Sequence, residues 1–174
     1  MERRRRQWEE SNRPSRAFDR STTWRRGLSL AGQGPLLNAP FAMATLTEAL
    51  AVALAHHRAG RLDVAEQIYR RILAAQPDQA DAMHLLGVVA HQAGRHELAI
   101  ERIQRAIALR GTDAAFHCNL GEAYRAQGRG EEAIACCRRA IELKPDYAEA
   151  LHNLGVLLAA QEQFAEAIAC YAKA

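Results

Sequence analysis

The chain has 174 residues, 49% of them apolar but only 6% aromatic, and a formal net charge of +3. That charge divides unevenly: residues 1–42 hold nine Arg against four acids (+5), and residues 43–174 hold 14 Lys and Arg against 16 acids (−2). A near-neutral second part argues against a nucleic-acid partner, and no run reaches the roughly 18 apolar residues of a membrane span.

Residues 1–42 mix an Arg run, scattered acids, Pro and Gly without a period of two or 3.6, so disorder is expected there. Three further readings stand beside it. Arg3 to Arg6 could form a basic arm for nucleic acid or anionic lipid. Arg25-Arg26-Gly27-Leu28 and the small pair Ala42/Ala44 suggest a twin-arginine-like export signal, but Gly32, Gly34, Pro35 and Asn38 interrupt its apolar region. The third, that translation starts at Met43, fits best, because MATLTEALAVAL enters a helical period at once.

From Leu46 onward the chain repeats itself every 34 residues. Leu86-Gly87 returns as Leu120-Gly121 and Leu154-Gly155; Ala65 returns as Ala99, Ala133 and Ala167; Ala106 returns as Ala140 and Ala174; Pro77 matches Pro145 two units later. Such a period with small residues at fixed places marks a stacked helical array. The expectation is therefore an all-α helical-repeat solenoid. Its units are 46–79, 80–113, 114–147 and a shortened 148–174, each a helix, a turn and a second helix.

With each unit numbered from 1 to 34, positions 4, 7, 8 and 11 form one stripe of the first helix. They are Ala49, Val52, Ala53 and His56; Met83, Leu86, Gly87 and Ala90; His117, Leu120, Gly121 and Tyr124; Leu151, Leu154, Gly155 and Leu158. This stripe is expected to be buried, with Gly or Ala at position 8 admitting the partner helix closely. The second helix should bury positions 20, 24 and 27. These are Ala65, Tyr69 and Ile72; Ala99, Ile103 and Ala106; Ala133, Cys137 and Ala140; Ala167, Tyr171 and Ala174.

Gly60, Gly94 and Gly128 stand where each first helix must end in a left-handed residue, whereas Glu162 holds that place in the fourth unit and predicts a poorer turn. Pro77-Asp78 and Pro145-Asp146 should stop one helix and cap the next, and Gly111-Thr112-Asp113 should do the same without proline.

These residues carry a resemblance. The Leu-Gly pairs, Tyr124, the alanine column, Tyr69 and Pro145 resemble the tetratricopeptide repeat pattern over residues 46–174. Its tryptophan-like position is filled by Ala49, Met83, His117 and Leu151. The resemblance implies a right-handed superhelix whose first helices line a concave, peptide-binding groove, used as an assembly platform. Wording such as AHHRAGRLDVAEQIYRRILAAQPD, HLLGVVAHQAGR and YAEALHNLGVLL is also similar to the front end of bacterial O-linked N-acetylglucosamine transferase-like proteins. In those a repeat array precedes a glycosyltransferase domain. That domain is missing from this sequence, so no catalytic residue carries over. The family's groove asparagine, in Asn-Leu-Gly, corresponds to Asn119 and Asn153, while Ala51 and Leu85 replace it in the first two units.

The face opposite the stripe holds positions 2, 6, 9 and 13. It supplies the candidate groove residues Leu54, Arg58, Leu85, Val88, Gln92, Asn119, Glu122, Asn153 and Val156. An apolar cluster rimmed by polar groups suits an interaction site, although neighbouring first helices could equally cover Leu85 and Val88. Each asparagine offers one acceptor and two donors to a peptide unit, or to water.

Cys118, Cys136, Cys137 and Cys170 form no C-x-x-C pair and read as unpaired thiols in a reducing, cytoplasmic setting. The seven histidines, among them His84 and His152 at position 5 and His57 and His91 at position 12, lack a ligand set. Neither a metal nor a cofactor is expected. No nucleophile–base pair, carboxylate pair or phosphate loop is present, so the chain by itself is not expected to be an enzyme. Three functions remain open: a protein-interaction scaffold, the substrate-recognition part of a glycosyltransferase, or an oligomerisation module that light scattering would reveal. At the carboxyl end, Leu158, Phe164, Ile168 and Tyr171 are expected on an uncovered outer face, open to fraying or self-association, because arrays normally end in a polar cap.

Overall fold

The computed structural model describes residues 45–174; the disorder, basic-arm, export-signal and start-site readings of the preceding segment lie outside the described residues. Eight helices follow in order: α1 Leu46–Arg58, α2 Leu62–Ala75, α3 Ala80–Gln92, α4 His96–Leu109, α5 Ala114–Ala126, α6 Gly130–Leu143, α7 Ala148–Ala160 and α8 Phe164–Lys173. The odd-numbered helices start at 46, 80, 114 and 148, each 34 after the last, so the spacing in the sequence is the spacing of the helices. Each helix packs on the next, and α3 also touches α5, and α5 touches α7. The described residues thus form an all-α solenoid without a central core.

The small residues set the helix spacing. A Cβ added to Gly87 would lie 2.6 Å from Cγ1 of Ile103 and 3.2 Å from the carbonyl oxygen of Ala99, so α3 and α4 meet backbone to backbone there. Ala65, Ala99 and Ala133 are fully buried at the equivalent place on the second helices. The first helices of the second, third and fourth units bury more than one stripe, because each lies between neighbours on both sides: Ala82, Val89, Phe116, Ala123, Ala150 and Leu157 are buried as well. His56 and His117 of the expected stripe are only half-buried.

The ends of the array depart from the repeat in a consistent way. Val52, at a position buried in the other three units, is 47% exposed, and the first unit has no described unit before it. In the last unit, Tyr171 and Ala174 are exposed although Ile103, Cys137, Ala106 and Ala140 at the same positions are buried. These positions face the following unit, so burial needs a neighbour. The expected outer face is corrected in one member: Leu158 is only 1% exposed, tucked between α7 and α8, while Phe164 and Ile168 are 60% and 67% exposed.

The turns also correct the sequence reading. Gly60, Gly94 and Gly128 have φ of 72°, 73° and 74°, and Glu162 adopts the same left-handed conformation with φ of 63°. The hydrogen bond from Gln163 N to Leu158 O (2.9 Å) matches that from Arg61 N to His56 O (3.0 Å). The fourth turn is therefore as well shaped as the others, because the flanking helices impose its form; its cost is strain at a residue with a Cβ. The caps of two units differ from the expectation. Gln79, not Asp78, caps α3 by accepting from Ala82 N, and Tyr147 precedes α7 with no side-chain cap. Asp113 caps α5 as expected, and Thr45 with Glu48 closes a capping box at α1.

Candidate functional site

One cavity of about 300 Å³ opens on the inner face formed by the first helices. Val88, His91 and Gln92 come from α3, Asn119 and Glu122 from α5 and Glu149 from α7, over a floor at Ile103 of α4. Three successive units must be stacked before this cavity exists. The array brings four of the expected groove residues together there: Val88, Gln92, Asn119 and Glu122. Asn153 adjoins it through a hydrogen bond from its Nδ2 to Oε1 of Glu122 (3.3 Å).

The remaining candidates are placed elsewhere. Leu85 is half-buried against the cluster built by α1, α2 and α3, so a neighbour covers it, and Leu54 is half-buried on α1. Arg58 is exposed at the end of α1, and Val156 is exposed on α7. His91 and Glu149, which line the cavity, were not among the expected groove residues. Glu149 did lie on the opposite face at position 2, so a helical wheel could have found it. His91, at position 12, reaches the cavity only because α5 packs beside α3.

A polar ladder joins the units across this face, and it was not legible as such in the sequence. Asn119 Nδ2 lies 2.8 Å from His84 Nε2, Asn153 Nδ2 lies 3.6 Å from Cys118 Sγ, and His57 Nε2 lies 3.0 Å from Gln92 Oε1. All three pairs are 35 residues apart, one repeat plus one residue. The asparagines are thus neither solvated amides nor free groove donors; each is half-buried and tied to the unit before it. His84 stacks on Phe116 with ring centroids 4.3 Å apart, and Arg110 lies over the Phe116 ring, 4.9 Å from its centroid.

Burial sets the charge states here. It lowers the His84 pKa to about 4, against the opposing pull of Asp113 and Asp81, so the ring is neutral at neutral pH. His91 is lowered too, by burial and then by His96, whose Nδ1 is 3.1 Å from its own. Burial raises the Cys118 and Cys137 thiols to about 12 and Cys136 to about 11, so none is a ready nucleophile. The four cysteines are free. Among the described residues no group of three or more His, Cys, Asp or Glu is placed to hold a metal ion.

A second, more open cavity of about 590 Å³ lies at the inter-unit turns beside Arg110, Asp113, Lys144 and Tyr147. Its charges are largely satisfied internally. Arg110 pairs with Asp81 and, at 3.3 Å, with Asp113, and Lys144 sits 5.2 Å from the Tyr147 ring centroid.

Paired helices at a fixed repeat, with a groove assembled across units, define a helical-repeat interaction scaffold. Comparison with known proteins agrees. The family model described as tetratricopeptide repeat matches residues 50–114, and one described as TPR repeat matches residues 121–162. The chain belongs to the tetratricopeptide repeat family. Among solved structures, MamA is similar at 23% identity and TM-score 0.67, over 74% of this chain and 75% of that one. MamA from Desulfovibrio magneticus is similar at 20% identity and TM-score 0.67, over 74% and 73%. These two likenesses show the fold alone. A variant of the Thermobaculum terrenum O-GlcNAc transferase is 35% identical with TM-score 0.64, over 67% of this chain but only 23% of its own length. No curated protein sequence matches the chain. Among the described residues, no helix is long and apolar enough to cross a membrane.

Proposed function

We propose that the chain is a non-catalytic scaffold that holds an extended peptide segment of a partner protein along the inner face of its first helices. The observation that supports this most is the cavity shared by α3, α5 and α7, which collects apolar, amide and carboxylate groups from three successive units. A groove of this kind binds by main-chain hydrogen bonds along its length and by pockets for selected side chains. Asn119 keeps one N–H and its carbonyl beyond the bond to His84, and Asn153, whose Nδ2 bonds both Cys118 and Glu122, keeps its carbonyl. Leu54, Arg58 and Val156 would extend the contact toward the two ends, while Leu85 supports the face from beneath its neighbour. The reading places the protein in the cytoplasm, in keeping with four free thiols.

Panning a random phage-displayed peptide library on the purified chain tests this. The selected peptides should bind more weakly to an Asn119→Ala/Asn153→Ala variant, by about 1 kcal/mol per lost hydrogen bond. Because both asparagines also tie units together, that variant should lose some stability, and affinities must be compared well below its melting midpoint. Unchanged affinity would leave the asparagines with a role between units alone.

A second reading has one observation in its favour. The 35% identity to the O-GlcNAc transferase supports an array that selects protein substrates for a glycosyltransferase domain. Sequencing the locus on both sides of the coding region tests it: an adjoining in-frame glycosyltransferase domain would support it, and its absence would sink it.

A further inference from the structure

We infer that the inner cavity is a specificity pocket for a basic side chain, arginine or lysine, of the bound segment. This rests on the extended-peptide reading. Glu122 of α5 and Glu149 of α7 bring two carboxylates to one cavity from different units, and no Lys or Arg lines it. Glu122 accepts from the neutral amide of Asn153 at 3.3 Å, and Glu149 from the neutral hydroxyl of Tyr147 at 3.1 Å. The ion pairs found among the described residues engage Glu66, Asp81, Asp113, Glu132, Glu142 and Glu166 instead. The carboxylates of the cavity therefore retain lone pairs for a cation.

The rest of the lining fits the same occupant. Val88 and Ile103 offer an apolar surface for the methylene stem that carries a guanidinium or ammonium group. The side-chain carbonyl of Asn119 adds a neutral acceptor, and that of Gln92 keeps a second lone pair beyond its contact with His57 Nε2 at 3.0 Å. His91 is uncharged near neutral pH, so it does not oppose a cation. At about 300 Å³ the cavity is at the small end of ligand cavities and has room for one long side chain. An acidic or phosphorylated side chain would meet two like charges, which disfavours it.

The test uses the ¹⁵N-labelled full chain titrated with N-acetyl-arginine methylamide, its citrulline counterpart and its glutamate counterpart. Side-chain amide resonances of Gln92 and Asn119 report occupancy. Arginine should shift them, citrulline should bind at least about fivefold more weakly, and glutamate should not bind. Glu122→Gln with Glu149→Gln should remove the preference for arginine over citrulline. Those replacements keep both acceptors, and an unchanged melting curve would verify the fold. Equal binding of citrulline, or a preference surviving the double variant, overturns the inference. Panning the peptide library on both forms separates the two levels. Peptides enriched without any basic preference would overturn the pocket and leave the groove standing. Arginine binding with no peptide enriched on either form would overturn the groove, and with it a peptide as the source of the cation.

Discussion

The second and fourth units place similar residues at the same positions and give them opposite fates. Ile100 and Ile103 in α4 are 7% and 0% exposed, whereas Ile168 and Tyr171 in α8 are 67% and 42% exposed. Both helices are amphipathic, and each follows a turn with a left-handed residue, Gly94 before α4 and Glu162 before α8. Only the next first helix differs: α5 packs on α4, and no described helix follows α8. A repeat of this kind carries half of two interfaces rather than a core of its own, so the energy of a side chain belongs to the junction.

The sharpest way to break that comparison is to truncate both sides of it. Ile103→Ala should destabilise the chain by about 3 kcal/mol, from lost burial and an unfilled cavity. Ile168→Ala should change stability by less than about 0.5 kcal/mol. Urea unfolding followed by the helical signal would measure both, and equal losses would show that α8 is covered in solution. Light scattering would then decide whether a second copy covers it. A polar capping helix fused after Ala174 should in either case raise stability, by shielding Phe164, Ile168 and Tyr171.

Acid distinguishes the units next. His84 is buried on α3, whereas His152 at the same position is exposed on α7. Because the folded pKa of His84 is lowered to about 4, the unfolded chain binds the extra proton first as pH falls from neutral. Stability should therefore decline between about pH 6.5 and 4 and stop declining, for this group, below that. The full effect is on the order of 3 kcal/mol. His84→Gln, which can still bond Asn119, should flatten this part of the stability profile. A profile unchanged by that substitution would remove His84 as the acid-sensitive residue.

A smaller contrast lies in the position-8 glycines. Gly87→Ala would drive a methyl into Ile103 and toward the Ala99 carbonyl, costing about 1–2 kcal/mol after the gain in helix propensity. Gly155→Ala meets the ring of Tyr171 first, an exposed side chain that can swing aside, and should be close to neutral. Thermal melts of the two variants would measure the difference, and a larger loss at Gly155 would reverse the comparison.

The smallest expected change is a gain. Glu162→Gly should stabilise the fourth unit by about 1 kcal/mol, since glycine adopts φ of 63° without a Cβ penalty. Hydrogen exchange of α8 amides would slow accordingly; no change would mean that the turn is not where this unit stores strain.

Much of this architecture was present in the one-dimensional pattern. The 34-residue period, the glycines and alanines at close approaches and the punctuation by Gly60, Gly94 and Gly128 dictate paired helices, because helix geometry and left-handed turns are local properties. Caps were less legible: Gln79 rather than Asp78 caps α3, since the residue that precedes a helix is chosen by the path of the turn. The fourth turn keeps its shape despite Glu162, since the flanking helices outweigh a local penalty.

The groove residues divide along the same line. Val88, Gln92, Asn119 and Glu122 follow from the helical wheel, which places them on the face away from the stripe. Glu149, at position 2, lies on the same face. Stacking alone decides that His91 joins them, that Leu85 is covered by a neighbour, and that His84 and Cys118 receive the asparagines of the next unit. Sequence periodicity specifies what each helix presents, through interactions spanning a few residues. Tertiary structure specifies what it meets, because those contacts join residues 30 or more apart whose distance depends on how far each unit rotates on the last.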